Sequence, residues 1–344
     1  MIKYLLKNHD LPDKELLFLI QTQEYDKELI ESADRVRKEI YGTDVYIRGL
    51  IELTNYCQNN CYYCGMRRDN KNISRYRLSK EEILSCCDSG YELGFRTFVL
   101  QGGEDPYYTD DLTCKIISDI KSKYGDCALT LSLGEKSQRS YKAFFDAGAD
   151  RYLLRHETAD EHHYRMLHPE DMSLLKRKEC LWNLKKIGYQ VGSGFMVNSP
   201  HQTPLNLIQD IRFLQELSPD MIGIGPYISH HDTPFAGFES GGLTLTIKLI
   251  AVLRLMFPYA LIPATTALGT IAKNGREMGL LAGANVLMPN LSPQNVRELY
   301  KPYDNKICTD DEAAEHLLRL KRRVAAVGYN IVTARGDAKK FEQK

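Results

Sequence analysis

Apolar, β-rich runs alternate with amphipathic helical patterns along most of the chain, from about residue 45 to residue 325. Short apolar runs bounded by turn residues predict eight strands, over residues 45–54, 97–103, 129–134, 151–158, 190–197, 221–228, 261–267 and 286–289. No Gly/Ser-rich linker or low-complexity stretch separates the repeats. The pattern therefore predicts one continuous domain.

The stretches between the strands carry helix signals. Ser79 and Glu82, for example, have the spacing of a capping box at the start of a helix. Nearly continuous apolar strands that are each followed by a helix require a parallel sheet covered by helices, and eight repeats close into a barrel. We therefore expect an α/β protein with a (β/α)8 TIM barrel over residues 45–330, preceded by an N-terminal helical extension (1–44) and followed, after a C-terminal helix, by a tail (331–344).

Composition narrows the function classes. The 344 residues include 45 Lys and Arg against 45 Asp and Glu, so no surplus of cations favours binding to nucleic acid. The N-terminus lacks the pattern of a signal peptide, and the longest apolar run, residues 243–258, is interrupted by Lys248 and Arg254, so no membrane span is predicted. We expect a cytoplasmic protein, in which nine cysteines act as ligands, nucleophiles or buried thiols rather than disulfides.

A loop with three closely spaced cysteines follows the first predicted strand. Cys57, Cys61 and Cys64 have the spacing Cys-x3-Cys-x2-Cys, which lets three thiolates converge on one centre. Zinc is one alternative, but a structural zinc site needs a fourth protein ligand, and neither a further Cys nor a suitably close His follows this loop. A 4Fe-4S cluster held by three cysteines leaves one iron free. That iron can bind the amino and carboxylate groups of S-adenosylmethionine (SAM), whose C–S bond is then broken by one-electron reduction.

Polar residues follow the predicted strands at the ends where barrels place their reacting groups. Glu104 follows Gly102 and Gly103, and a glycine pair lets the backbone approach a ligand while a carboxylate accepts bonds from an ammonium group. Arg155 and Glu157 are two apart in one predicted strand and so point to the same side. There they either pair with each other or bind a ligand.

The cysteine motif, with an aromatic residue before the last cysteine and a barrel strand before the first, resembles the signature of the radical SAM superfamily. Within it, about residues 45–308 closely resemble the HydE family of FeFe-hydrogenase maturases. The stretches that carry this resemblance are CQNNCYYCGMRRDNKNISRYR (57–77), LQGGEDPYY (100–108), DRYLLRHETA (150–159), DMIGIGPY (220–227), IPATTALGT (262–270) and GANVLMPN (283–290).

The resemblance implies an enzyme that uses a 4Fe-4S cluster to cleave SAM to a 5′-deoxyadenosyl radical, in assembly of the di-iron centre of FeFe hydrogenase. It also implies a small organometallic iron–cysteine substrate, a ferredoxin or flavodoxin as electron donor, and the other hydrogenase maturases as partners. No catalytic side chain is expected beyond the cluster and SAM.

The same resemblance assigns roles to individual residues. It implies metal ligation by the three loop cysteines and SAM contacts at Tyr63, Gly102, Gly103, Glu104, Ser132, Glu157 and Arg177. Among these, Glu104 would meet the amino group, Arg177 the carboxylate, Ser132 the ribose and Tyr63 the adenine. Substrate contacts are implied at Arg155, Met221, Thr265, Thr266 and Tyr303. Thr265 and Thr266 are adjacent on the predicted seventh strand, so at most one of their hydroxyls is expected to point straight into the barrel.

The chain departs from some family members near its C-terminus. Those proteins carry three further cysteines for a second cluster, whereas here only Cys308 matches. The residues after it predict an amphipathic helix without cysteine. We therefore do not expect a second iron-sulfur cluster.

Other classes share parts of this pattern. The lysine mutase that makes 3-methylornithine shares a GEDPYY-type stretch and is the leading alternative enzyme. Biotin synthase shares the cysteine motif but also needs cysteines inside the barrel. No further cysteine here falls at the carboxyl end of a predicted strand; this holds for Cys86, Cys87, Cys114, Cys127 and Cys180. A non-catalytic iron-sulfur carrier would need the three loop cysteines but not the polar residues implied to bind SAM.

Two further groups have no assigned role. Five cations lie within eleven residues, and a solvated or internally paired loop is expected for Arg67, Arg68, Lys71, Arg75 and Arg77. His230 and His231 could ligate a metal, but no carboxylate or Cys spacing supports such a site.

Overall fold

The computed structural model describes residues 1–307 and 313–339. Their helices and strands follow one another in this order: α1 (Ile2–Asn8), α2 (Asp13–Gln21), α3 (Asp26–Tyr41), β1 (Asp44–Ile47), β2 (Gly49–Thr54), α4 (Lys80–Glu92), β3 (Thr97–Gly102), α5 (Asp110–Lys123), β4 (Ala128–Ser132), α6 (Gln138–Asp146), β5 (Arg151–Leu153), α7 (Glu161–Leu167), α8 (Leu174–Ile187), β6 (Gln190–Ser193), β7 (Met196–Val197), α9 (Pro204–Leu217), β8 (Met221–Ile222), β9 (Gly225–Pro226), α10 (Leu243–Met256), α11 (Thr266–Ile271), α12 (Gly275–Leu281), β10 (Val286–Leu287), α13 (Gln294–Arg297), α14 (Ala313–Ala326) and β11 (Asn330–Val332).

Parallel segments close into a barrel, which confirms the predicted fold. Six strands form one sheet in the order β2-β3-β4-β5-β6-β8. The segment 261–263 continues it, since it bridges β8 on one side and β10 on the other. The ring closes where Leu50 of β2 pairs with Asn290, just beyond β10. Eight parallel positions around one axis are the TIM-barrel arrangement.

The predicted seventh strand differs most from the structure. Only Leu261 and Pro263 make ladder bridges in this segment. Proline has no N–H to donate to a longer ladder, and helix α11 already begins at Thr266. The prediction that the two threonines alternate on a strand is therefore wrong.

Three other predicted strands divide in two. The run 45–54 forms β1 and β2. The run 190–197 forms β6 and β7, and the run 221–228 contributes β8 and β9. A Cβ at Gly194 would lie 1.9 Å from the carbonyl oxygen of Gly223, so the two backbones approach more closely than side chains would allow. This close approach interrupts both ladders.

The predicted extension and tail both pack against the barrel. Helices α1 to α3 contact α10, and the Lys248 ammonium in α10 lies 2.8 Å from Asp26 at the start of α3. Strand β11 pairs in parallel with β1, so the predicted boundary at residue 330 falls inside a strand. Beyond it, Asp337 forms an ion pair with Arg151 of β5. None of the helices in the described ranges is long and apolar enough to cross a membrane.

The ion pair between Arg151 and Asp337 gives a stability prediction. Burial alone would raise the pKa of Asp337, but the charge of Arg151, with hydrogen bonds from Arg335 and Gln190, outweighs this and holds the pKa well below its ordinary value. Replacing Asp337 by Asn leaves the buried guanidinium without its charge partner, so we expect the free energy of unfolding to fall by about 3 kcal/mol at pH 7. Urea denaturation measures this loss.

The same pair predicts the pH dependence. Because the folded-state pKa of Asp337 is lowered, the stabilisation is present above the ordinary carboxyl pKa of about 4 and is lost as pH falls toward the lowered value. The difference between wild type and D337N should therefore shrink below about pH 4. Asp146 pairs with Lys142 on an exposed helix surface, so D146N is the control and should cost less than about 1 kcal/mol. Equal losses for D337N and D146N would contradict this account.

Candidate active site

The cysteine loop leaves the carboxyl end of β2 and is held by side chains of its own. The amide of Asn55 donates to the carbonyl oxygens of Ser74 and Leu299, both at 2.8 Å. Its oxygen accepts from the backbone N–H of Tyr76 at 2.9 Å. Asn55 thus ties both ends of the loop to the segment after β10.

Arg75 is the second side chain that holds this loop. Its guanidinium donates to the backbone carbonyls of Asn55, Met66, Arg67 and Asn70. Arg77 is likewise engaged, with its guanidinium 2.7 Å from Asp105, whereas Arg68 and Lys71 are exposed. The cationic run therefore shapes the loop from within as well as facing solvent.

The three thiols are partly buried, which decides what they can hold. Burial raises the pKa of each thiol, that of Cys64 to about 12, and neighbouring thiolates add to the shift for Cys61 and Cys64. Three thiolates at this place therefore require a compensating positive centre, and thiolates suit zinc or an iron-sulfur cluster. A structural zinc ion takes four protein ligands, whereas a 4Fe-4S cluster held by three cysteines leaves one iron for a further ligand.

The glycine pair after β3 packs directly on the cysteine loop. A Cβ at Gly103 would lie 2.1 Å from the carbonyl oxygen of Tyr56 and 2.8 Å from the Cβ of Cys57. The backbone N–H of Gln58 donates to the carbonyl oxygen of Glu104 at 2.9 Å. The missing side chain at Gly103 is thus what allows Glu104 to lie beside the first cysteine.

Glu104 belongs to a buried charge cluster with Arg177 and Glu135. Its carboxylate accepts from the backbone N–H of Glu135 at 2.9 Å, and the guanidinium of Arg177 lies 4.0 Å away. Arg177 lies 2.7 Å from the carboxylate of Glu135, and burial raises the pKa of Glu135. If both carboxylates are ionised, they face a single guanidinium, and the cluster has a net negative charge. Such a cluster suits a ligand that carries cationic groups beside a carboxylate. Sequence reasoning gave Glu135 no role, although it follows a predicted strand end.

A cavity of about 300 Å³ opens inside the barrel mouth next to this cluster. Tyr63 and Cys64 line one side of it, so the cavity borders the cysteine loop directly. The remaining wall comes from β2, β3, β5, β7 and β9 with the residues that follow them, from residues 263–267 and from the segment after β10. Its polar members are Glu52, Gln101, Arg155, Glu157, Tyr227, Thr265, Thr266, Tyr300, Tyr303 and Lys306. A space of this size fits a small molecule.

Several polar atoms in this wall lack hydrogen-bond partners. The Nη2 of Arg155 lies 2.9 Å from the Oε2 of Glu157, yet the two are not aligned for a hydrogen bond. The Nε of Arg155 and the Oγ1 of Thr265 are also buried and without a partner. Glu157 has a positive φ of 65°, a conformation that is costly for a residue with a side chain. Orphaned groups and backbone strain in a cavity are expected where a ligand binds.

Most predicted substrate residues meet in this cavity. Arg155, Thr265, Thr266 and Tyr303 all line it. Both threonines line the cavity from the start of α11, and the Thr266 hydroxyl accepts from Arg276. The expectation that at most one hydroxyl points straight into the barrel stays a prediction.

The predicted substrate contact at Met221 is also wrong. It is absent from the cavity wall and lies deeper in the barrel, where its sulfur accepts from Arg48 at 2.7 Å and it packs against Leu261 and Val286. The reason is that Met221 begins β8, whereas the part of this segment that lines the cavity runs from Gly223 to Ile228.

Two of the predicted SAM residues, Tyr63 and Ser132, lie in different surroundings. Tyr63 lies between the loop and the cavity, and its hydroxyl is 3.2 Å from Nε2 of His168. Burial lowers the pKa of His168 to about 3, so this ring is neutral at pH 7. Ser132 ends β4 opposite Gln101 in the sheet register, and it does not line the cavity.

Sequence reasoning missed one buried ion pair. The Lys306 ammonium lies 2.6 Å from the carboxylate of Glu52, whose other oxygen accepts from Asn290 at 2.8 Å. Both partners line the cavity. Glu52 could have been noticed as an acidic residue inside an apolar strand, but nothing in the sequence marks Lys306.

Comparison with known proteins agrees with this geometry. A model of the radical SAM superfamily matches residues 51–214. The [FeFe] hydrogenase maturase subunit HydE of Thermotoga maritima is 48% identical over 289 residues, 84% of this chain and 82% of that protein. The chain belongs to the HydE family of the radical SAM superfamily. It is therefore a radical SAM enzyme, with a 4Fe-4S cluster and SAM as cofactors.

More distant relatives of this HydE family member share the fold. The 3-methylornithine synthase of Methanosarcina barkeri is 29% identical over 318 residues, 91% of this chain and 89% of that protein. The crystal structure of a methylornithine synthase, PylB, superposes with a TM-score of 0.86 at 28% identity, covering 99% of this chain and 98% of that one.

The prediction for a second cluster concerns Cys308, which lies outside the described residues. Apart from the three loop cysteines, the cysteines that the structure describes lie in α4, α5 and α8 or directly before β4.

The contact of Gly103 with the cysteine loop can be tested directly. A methyl group at Gly103 must displace the backbone at Tyr56, so G103A should take up several-fold less iron and sulfide per chain than wild type after anaerobic reconstitution. Gly237 has no atom within 4 Å of an added Cβ, so G237A is the matched control and should load normally. Full cluster content in G103A would contradict the proposed packing.

Proposed function

We propose that this protein is a HydE-type maturase that acts in assembly of the di-iron centre of FeFe hydrogenase. The observation that carries the proposal is the 48% identity to a curated HydE along 84% of the chain, together with three thiols at a barrel mouth beside a cavity. When bound, the cluster and SAM supply the reductive cleavage that gives a 5′-deoxyadenosyl radical.

On this proposal Cys57, Cys61 and Cys64 hold the cluster and leave one iron for SAM. The charge cluster beside the loop suits the same amino-acid end of SAM that meets the iron: Glu104 accepts from its amino group, and Arg177 binds its carboxylate. Both side chains are about nine-tenths buried, which strengthens such contacts.

The remaining SAM contacts lie around this pair. Gly102 and Gly103 let the backbone approach the ligand. Ser132 would contact the ribose, Tyr63 the adenine, and Glu157 would accept a further hydrogen bond from SAM.

The cavity beyond the loop is the proposed substrate site. Arg155 presents unpaired N–H groups, and Thr265 presents an unpaired hydroxyl, so this wall suits an anionic ligand. Thr266 and Tyr303 complete the wall. A volume of about 300 Å³ admits a small organometallic iron–cysteine complex. We give Met221 no contact with this ligand.

The proposed setting follows from the chemistry. A ferredoxin or flavodoxin would supply electrons of low potential, and the other hydrogenase maturases would deliver the substrate and receive the product. An oxygen-sensitive cluster on thiolate ligands suits the reducing cytoplasm.

A second candidate function is 3-methylornithine synthesis. It is favoured by the TM-score of 0.86 to methylornithine synthase, but the identity to that structure is only 28%, against 48% to HydE. The two functions differ in substrate, since one enzyme would act on free lysine and the other on an iron complex.

The role of Glu104 tests the SAM site. Replacing it by Gln removes the charge from a hydrogen bond to an ammonium, which is worth about 1.5–3 kcal/mol. E104Q should therefore raise the KM for SAM by about tenfold or more in 5′-deoxyadenosine formation, with unchanged iron content. Glu81 is exposed on α4, so E81Q is the control.

A wild-type protein that carries a full cluster but forms no 5′-deoxyadenosine would instead be an iron-sulfur carrier.

Complementation tests the physiological role. In a bacterium with FeFe hydrogenase whose own HydE gene is deleted, expression of this chain should restore hydrogenase activity, while R155Q should not, because it lacks the cationic group in the cavity. Immunoblots check that R155Q accumulates like wild type. Failure of the wild-type chain to complement, with conversion of lysine to 3-methylornithine by the purified enzyme, would favour the second candidate.

A further inference from the structure

His168 is a buried histidine that lies beside the cysteine loop but is not among the proposed SAM and substrate contacts. It is the C-cap residue of α7. Its ring meets the ring of Tyr63 edge to face, with centroids 5.4 Å apart, although 105 residues separate the two in the sequence. Tyr63 lies between the second and third cysteines of the loop. The side chain of His168 therefore connects the corner between α7 and α8 to the metal loop.

Both ring nitrogens of His168 have partners, and these partners determine where its proton lies. Nδ1 is 2.9 Å from the backbone carbonyl oxygen of Tyr164. A carbonyl oxygen only accepts, so Nδ1 carries the hydrogen. Because the ring is neutral, Nε2 keeps a lone pair, and this nitrogen is 3.2 Å from the hydroxyl oxygen of Tyr63. The Tyr63 hydroxyl therefore donates its hydrogen to His168.

The ring of His168 is held in one orientation. It stacks on the ring of Tyr164 with centroids 4.0 Å apart and an angle of 24° between the planes. Tyr164 is buried in α7, so the helix fixes the lower ring of this stack. A side chain that is packed on one face and hydrogen-bonded at both nitrogens has little freedom to rotate. His168 thus offers Nε2 to Tyr63 at a fixed place.

Two further contacts join the same corner to the cysteine loop. The backbone N–H of Tyr62 donates to the carbonyl oxygen of Leu167 at 3.0 Å. The sulfur atoms of Cys61 and Met172 are 3.8 Å apart. Residues 167–172 therefore contact the loop on both sides of Tyr63, and the side chain of His168 is the part of this corner that reaches the tyrosine hydroxyl.

The orientation of Tyr63 depends on this hydrogen bond. The tyrosine lines the cavity beside Cys64, and its ring rotates about two bonds. A buried hydroxyl without a partner costs free energy, so a tyrosine that loses His168 turns toward another acceptor. The cavity offers one, because Oε2 of Glu157 has no hydrogen-bond partner. The ring face next to the third cysteine would move with the hydroxyl.

We propose that His168 is a positioning residue for SAM binding: by accepting from the Tyr63 hydroxyl, it holds the tyrosine ring in the orientation that meets the adenine of SAM. His168 acts through Tyr63 and itself touches neither the cofactor nor the cluster ligands. The inference rests on the proposed contact between Tyr63 and SAM. It does not rest on the maturase function, since every reaction of a radical SAM enzyme at this cluster requires bound SAM.

Two substitutions at His168 separate its two hydrogen bonds. An asparagine amide reaches about as far as Nδ1 and a glutamine amide about as far as Nε2, so H168N loses the partner of Tyr63 and H168Q keeps an acceptor for it. H168N should raise the dissociation constant of SAM by about three- to tenfold, and H168Q by less than about twofold. His162 is exposed on α7, so H162N is the matched control and should bind SAM like wild type.

Isothermal calorimetry measures these dissociation constants. The cluster-loaded proteins are titrated anaerobically with SAM while the cluster is oxidised, so that SAM is bound but not cleaved. Iron content and circular dichroism check that each variant carries its cluster and is folded. H168Q that loses as much affinity as H168N would contradict a role for the hydrogen bond at Nε2.

A double-mutant cycle with Y63F distinguishes positioning from a general effect on the fold. If His168 acts through the Tyr63 hydroxyl, Y63F should weaken SAM binding about as much as H168N, and Y63F/H168N should lose no more than either single variant. The same cycle in the cluster-free protein, measured by urea denaturation, tests the contact without the cofactors. There too the losses of the single variants should not add.

The outcomes separate the two proposals. Y63F that binds SAM like wild type would remove the proposed contact between Tyr63 and SAM, and the role of His168 with it. Y63F that binds SAM weakly, with H168N like wild type or with losses that add in the double variant, would overturn the role of His168 alone.

Discussion

Three partly buried thiols in one short loop are the constraint on which the rest of this active site depends. Their burial raises the pKa of each sulfhydryl, so the site is stable in its reactive form only with a positive metal centre in place. The loop keeps its shape through Asn55 and Arg75, which satisfy backbone carbonyls within it and beyond. Gly103 then lets the next strand end lie against the loop.

Charge is divided around this loop. On one side Glu104, Glu135 and Arg177 form a buried cluster with a net negative charge, which suits the cationic end of SAM. In the adjoining cavity, Arg155 and Thr265 present unpaired donors that suit an anion. The cysteine loop contacts both regions, since Gln58 binds Glu104 while Cys64 lines the cavity. A cofactor and a substrate of opposite polarity can therefore meet at one metal centre.

The barrel and the metal loop could be predicted from sequence because their signals are local. Apolar runs with helices between them determine the repeat, and Cys57, Cys61 and Cys64 lie within eight residues. The seventh strand was overpredicted because Pro263 cannot donate to a longer ladder and helix α11 begins at Thr266, although the run is apolar. The substrate contact predicted at Met221 was wrong because a resemblance identifies a matching residue but not how deep it lies in the barrel. That depth depends on where its strand begins.

Long-range pairs could not be predicted at all. Lys306 meets Glu52, and Asp304 meets His231, only because the chain after β10 returns across the barrel mouth. No periodicity or motif in a single sequence indicates that this segment contacts residues so far away in the chain. These pairs are nevertheless what shapes the cavity entrance, so the polar detail of the site required the structure.

Electron paramagnetic resonance of the reduced, reconstituted protein tests the central claim most directly. The account predicts the signal of a reduced 4Fe-4S cluster that changes when SAM is added, because SAM binds the iron that no cysteine holds. A mononuclear metal ion in place of the cluster, or a cubane signal that is the same with and without SAM, would contradict it.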